Sequence, residues 1–254
     1  MTLETLLGVQ LSSFIFPLFR VMGLIMAAPV FGSRLVPNRI KIVLALCVTL
    51  VIVPTLPEIN VAGGWLLSGF VALQETLIGV AMALVVQMMF DALVIAGQTI
   101  AMTMGLGFAM LVDPHRGVSV PVLSQFFIIV GILVFLSLNG HLALLQMVSD
   151  SFTILPVGQL YSVASVWWLL EWGSQMFIGA VSIALPAVMS ILVVNIAFGV
   201  MSRAAPTLNL FAIGFPSALL IGFIVLLLNM QSLASVFSEL IRTSLLGVID
   251  MIGS

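Results

Sequence analysis

From residue 172 to residue 238 the chain carries one formal charge, Arg203, so two long apolar stretches, 172–202 and 204–238, meet at a single charged joint. A water-soluble core has no use for uninterrupted apolar chain of this length. The hydrocarbon layer of a bilayer, in contrast, asks for about 20 apolar residues per helix. The pair therefore reads as a membrane hairpin. Its joint is Met201-Ser-Arg-Ala-Ala-Pro-Thr-Leu-Asn-Leu-Phe-Ala-Ile-Gly-Phe-Pro216.

Composition extends this reading to the whole chain. With 62% hydrophobic and 6% charged residues, against about 25% charged in an ordinary soluble domain, nearly every side chain must face lipid or other apolar protein. A net charge of −2, with the basic residues scattered, excludes a nucleic-acid partner. The one cysteine, Cys47, allows neither an intrachain disulfide nor a cysteine-rich metal centre, and reads as a small packing residue. No basic residue precedes Arg20 and no small-residue cleavage site follows a short apolar region, so a cleaved signal is not expected.

Charge-poor segments at 11–31, 42–57, 64–90, 92–112, 118–148, 172–200 and 208–230 predict six or seven hydrophobic helices in one domain spanning 1–254. The runs are too long for barrel strands and lack alternation, so the expected class is all-α. If Arg34, Arg39 and Lys41 mark a cytoplasmic loop, Arg116 and Arg203 fall on the same side and Glu58, Asp150 and Glu171 on the other, consistent with six spans. Pro17, Pro29, Pro54, Pro186 and Pro216 within or at the ends of the runs predict kinked or broken helices, which lean on neighbouring protein to satisfy freed carbonyls. Gly79 with Ala83, and Gly97 with Ala101, allow close helix approach, either within the chain or against another subunit. Residues 231–254 read as a tail with little to constrain it.

Three places could carry mechanism. The loop 31–41 holds three of the basic residues and reads as a positive-inside anchor rather than a phosphate site. Segment 98–117 places Met102, Met104, Gly105, Gly107, Phe108 and Met110 before an Asp113-Pro114-His115-Arg116 turn. Deformable methionine and permissive glycine suit a soft, closable seal, and equally a kinked helix ending at Asp113-Pro114. Arg20, Glu75 and Asp91 lie inside apolar runs. They mark either a proton or substrate route, or the plainer arrangement in which Arg20 pairs with an acid, Asp91 caps a helix starting at Ala92 and Glu75 bonds a neighbour. His141 has no second ligand at metal spacing, His115 reads as a loop residue, and no nucleophile, base and acid converge. Neither an enzyme nor a bound cofactor or metal is expected.

Three runs together resemble the FliR/SctT family of type III secretion export components. They are Arg20-Val-Met-Gly-Leu-Ile-Met-Ala-Ala-Pro29-Val-Phe-Gly-Ser-Arg34 with Pro37, then Gly105-Leu-Gly-Phe-Ala-Met-Leu-Val-Asp-Pro114 leading to Phe135-Leu-Ser-Leu-Asn139-Gly140-His141, and the Met201–Pro216 joint with Arg203, Pro206, Asn209, Phe211, Gly214 and Pro216. The resemblance implies a non-enzymatic export-gate subunit of the inner membrane and flagellar basal body. It would be assembled with FliP-, FliQ- and FlhB-type proteins into a helical, ring-like array of tilted hairpins, in contact with membrane lipid and lying partly above the membrane plane. It also implies that a loop of the subunit plugs a channel for unfolded flagellar proteins, here Met104, Gly105, Gly107, Phe108, Met110, Leu111, Asp113 and Pro114. The competing class is a small secondary transporter using Arg20, Glu75 and Asp91 around a broken-helix substrate site.

Overall fold

The computed structural model describes residues 3–33, 35–56, 65–106, 122–159, 162–204 and 210–253. Among them the chain is all-α, with helices α1 (Leu3–Ala27), α2 (Asn38–Ile52), α3 (Trp65–Thr103), α4 (Val122–Ser137), α5 (Gly140–Ile154), α6 (Val163–Ala204) and α7 (Leu210–Gly253). A 3-10 turn around Pro54 (Val53–Thr55) ends α2.

The apolar runs become helices, with three changes of boundary. Segments 64–90 and 92–112 merge into the single 39-residue α3, because Asp91 alone, with neither glycine nor proline beside it, does not stop a helix. The cap assigned to Asp91 is therefore corrected: it stands half-buried inside α3 and is engaged within the chain. Run 118–148 instead divides at Asn139, whose left-handed φ of 56° turns the chain by 65° between α4 and α5. Residues 231–253 continue α7 and bury Leu233, Phe237, Ile241, Val248, Met251 and Ile252.

Among the described residues, four helical stretches are long and apolar enough to cross a membrane, or five if the bent α4–α5 pair counts as one. Three helices are too long for a simple crossing: at 1.5 Å per residue, the 39, 42 and 44 residues of α3, α6 and α7 have contour lengths of about 58, 63 and 66 Å. A hydrocarbon core is about 30 Å thick.

The chain folds as two compact units. The first comprises 1–88, 139–173 and 241–254. Its centre is the crossing of α1 on α3, where a Cβ on Gly79 would overlap the Arg20 carbonyl oxygen and one on Gly23 the Thr76 carbonyl oxygen. The start of α6 meets the end of α7 through Trp168 and Trp172, stacked at 4.9 Å, whose rings close on Gly247. The second unit comprises 89–138 and 174–240. Its core joins α3, α4 and α7 through Phe90, edge-on to Phe135 at 5.7 Å and to Phe237 at 5.6 Å. Gly97 lets α4 approach α3: a Cβ there would stand 2.6 Å from the Ser124 Cα, and Ser124 Oγ donates to the Val94 carbonyl at 2.9 Å. Both small-residue pairs read from the sequence thus include a glycine that serves packing within this chain.

Candidate functional site

In the second unit, the glycine–methionine segment begins as a built helix stop. Leu106 N–H donates to the Ala101 carbonyl at 2.9 Å and Gly105 N–H to the Met102 carbonyl at 3.1 Å, with Gly105 at φ 82°. This is the Schellman pattern, in which glycine takes the left-handed position that a Cβ disfavours. Met104, 1% exposed, is pinned against α7. A Cβ on Gly222 would lie 2.6–2.9 Å from the Cε, Cγ and Sδ of Met104.

Beyond Leu106, the expected plug residues Gly107, Phe108, Met110, Leu111, Asp113 and Pro114 fall outside the described residues. The chain is described again at Val122, where α4 starts. Leu106 and Val122 line one open apolar groove of about 440 Å³, with Phe126, Phe223, Leu227 and Met230 among its walls. Both ends of the 107–121 segment thus stand against α7 residues 13 to 20 positions after Leu210, about 20–30 Å along that helix. The end of α3 and the start of α4 meet α7 along its length rather than at its N-terminus.

The first unit holds two of the charges that lie inside apolar runs, Arg20 and Glu75. Arg20 and Glu75 are both 0% exposed, with Arg20 Nε donating to Glu75 Oε2 at 2.7 Å. Arg20 Nη1 donates to the carbonyl and hydroxyl oxygens of Ser151, each at 3.0 Å, and Nη2 to the Leu155 carbonyl at 2.9 Å. The guanidinium lies 4.3 Å from the Phe152 ring centroid. Glu75 Oε1 accepts from Gly158 N–H at 3.4 Å, and Gln74 Nε2 donates to the Gln159 carbonyl. Two helices thereby hold the turn after α5. A buried pair so fully bonded is a clamp, since removing either partner would strand the other's charge. Asp91, sixteen residues further along α3, belongs to the second unit.

The remaining signature residues are spread out. Pro29 is buried in the α1–α2 turn, where Gly32 N–H donates to the Ala28 carbonyl at 2.7 Å and Val30 adopts φ 71°. Lys41, expected as a surface anchor, is instead 6% exposed and donates through Nζ to the Gly32 carbonyl at 2.9 Å. Sequence reasoning missed that role, although Lys41 lies one turn into a helix that follows Pro37 directly. Arg39 is exposed; Arg34, Pro206 and Asn209 lie outside the described residues. Asn139 is exposed, Gly140 buried, and the buried Nδ1 of His141 has no hydrogen-bond partner among the described residues. Arg203 is exposed in the last turn of α6, where a cation complements the helix dipole. Phe211, Gly214 and Pro216 lie in the first turns of α7. Among the described residues no group of three or more histidine, cysteine or acidic side chains could hold a metal ion.

The chain matches its relatives over most of its length. Residues 11–244 match the family described as bacterial export proteins, family 1. The flagellar biosynthetic protein FliR of Escherichia coli (strain K12) is 38% identical over 231 residues, covering 90% of this chain and 88% of the relative. That of Pectobacterium carotovorum subsp. carotovorum is 38% identical over 221 residues, covering 85% and 83%. The FliR protein of Bacillus subtilis (strain 168) is 29% identical over 242 residues, covering 91% and 92%. A chain that is all-α among its described residues, with several membrane-length apolar helices and matched over most of its length, belongs to the bacterial export protein family whose members include the flagellar biosynthetic proteins FliR.

Proposed function

We propose that the chain is a non-enzymatic subunit of a flagellar type III protein export gate in the bacterial inner membrane, at the flagellar basal body. It would act as a single export-gate domain over residues 1–254, in a helical, ring-like assembly with FliP-, FliQ- and FlhB-type proteins. Unfolded flagellar proteins are the transported substrate. Met104 and Gly105 form the root of the plug, and Gly107, Phe108, Met110, Leu111, Asp113 and Pro114 its body.

The observation that carries this reading is where segment 107–121 leaves and rejoins the described chain. Both junctions stand against α7 about 20–30 Å from its start, and the segment includes Asp113, His115 and Arg116. Charged residues in a segment whose two ends stand on apolar helix faces suit a place against protein or a water-filled conduit. Helix length points the same way, since helices twice as long as a bilayer core is thick need protein cover beyond the lipid.

The test is to replace residues 107–111 with a serine–glycine linker of equal length, leaving Gly105 so that α3 still stops. Cells should leak small ions while flagellar export continues or loses its regulation. Unchanged ion permeability, in cells where the variant co-purifies with its partners at the normal level, overturns the plug.

A further inference from the structure

In the first unit, α2 turns its polar groups inward and its apolar ones outward. Lys41 is buried and donates through Nζ to the Gly32 carbonyl. Thr49, also buried, donates through Oγ1 to the Ala45 carbonyl of its own helix at 2.7 Å. Between Arg39 and Pro54 every exposed residue is apolar, and Ile42, Val43, Leu46, Cys47, Leu50 and Val51 form the outer side. A helix that faces water carries the opposite pattern. Small residues divide in the same way. Ala45 and Thr49 are on the buried side of a helix that packs on α1, and the outer side has no glycine, alanine or serine.

We propose that the outer side of α2 faces the acyl chains of a phospholipid bilayer, with Arg39 among the headgroups at one end. Length selects lipid. The apolar stretch Asn38–Thr55 holds 18 residues, about 27 Å of helix against a hydrocarbon core of about 30 Å, whereas α3, α6 and α7 overrun that thickness. Composition favours lipid over a sister helix. Helices that pack on one another in a membrane approach through small residues, and those of α2 lie on its inner side. Charge fixes the end: Arg39, exposed in a first turn without an acidic residue, complements the phosphates of anionic lipid. Cys47, eight residues further on, then lies about 12 Å below Arg39, close to the bilayer centre. The inference rests on the inner-membrane setting and not on the plug or the export role.

Cys47 is the chain's one cysteine and is exposed, so the natural protein carries the site for the probe. The thiol is labelled in detergent with a fluorophore, and the chain with its co-purifying partners is placed in nanodiscs that contain anionic phospholipid. A nitroxide borne near the middle of the acyl chain should quench most of the fluorescence. A nitroxide on the headgroup should quench weakly, and iodide in the water hardly at all. Moving the label nearer to Arg39, by Val43→Cys in a Cys47→Ser chain, should shift the quenching toward the headgroup nitroxide. Quenching by iodide at Cys47 reveals a water-facing side, and shielding from all three quenchers reveals a protein cover; either result overturns the proposal. So does an equal depth at the two positions, which a crossing helix forbids. A chain found in the disc without export proteins counts against the export reading alone, and quenching by the acyl-chain nitroxide would still place α2 against lipid.

Discussion

Helices α3 and α7 are equally apolar to a hydropathy scale and almost equally long, yet the chain treats them in opposite ways. Within their most apolar windows α3 is 61% buried by this chain and α7 only 11%. α3 receives α1 over Gly79, α4 over Gly97 and the Arg20 guanidinium at Glu75. α7 instead leaves Leu227 75% and Leu228 78% exposed, beside Leu220 and Phe223. The lesson is that hydropathy reports how apolar a surface must be, not what covers it. α3 is covered largely from within this chain, whereas α7 leaves an open apolar face around Leu220–Leu228.

Mutations that strike α3 should therefore cost the isolated chain most, and those on α7 least. The largest loss is expected from Glu75→Ala, which strands the buried Arg20 charge and should cost about 3–5 kcal/mol. The double variant Arg20→Met with Glu75→Leu should regain most of that loss. Thermal unfolding in detergent checks both, and a double variant as unstable as the single one breaks the clamp. Next, Gly79→Ala drives a Cβ into the Arg20 carbonyl and should cost about 1–3 kcal/mol. Gly69→Ala, on the same helix with nothing within 4 Å, should instead stabilise by about 0.5–1 kcal/mol. If both glycine variants move in the same direction, the close crossing of α1 is not what Gly79 serves. Gly105→Ala opposes a left-handed backbone and should cost about 1 kcal/mol, read as faster amide exchange in the last turn of α3. Smallest of all, Leu227→Ser with Leu228→Ser should change the isolated chain by less than about 0.5 kcal/mol while sharply reducing co-purification with other export proteins.

Much of this was legible in the sequence for particular reasons. Long charge-free runs admit few folds besides helices, so the class followed. Arg20 in an apolar run demanded an acid, and Glu75 supplies it. Gly105 is readable as a turn residue, and the structure adds that it ends α3 while Met104 ties that end to Gly222. What escaped the sequence depends on tertiary context. Asp91 looks like a boundary until the apolar helix simply continues through it. The inward turn of Lys41 needs the Gly32 carbonyl, nine residues away across a strained loop, and no periodicity announces that. The bend at Asn139 lay hidden in a run whose hydropathy is continuous. Of the candidate site, the root could be placed in space; the body of the proposed plug rests on its chemistry and on where its two ends stand.

The central claim is that the open face of α7 is made for other proteins. Its most direct measurement is site-specific photo-crosslinking in growing cells, with a photoreactive residue at Leu227 or Leu228 and the crosslinked products identified by mass. The account predicts one or a few discrete protein adducts with other export components at these positions, and none at the buried Leu93 used as a control. Adducts with lipid alone, from a chain that purifies as a stable monomer, would contradict it.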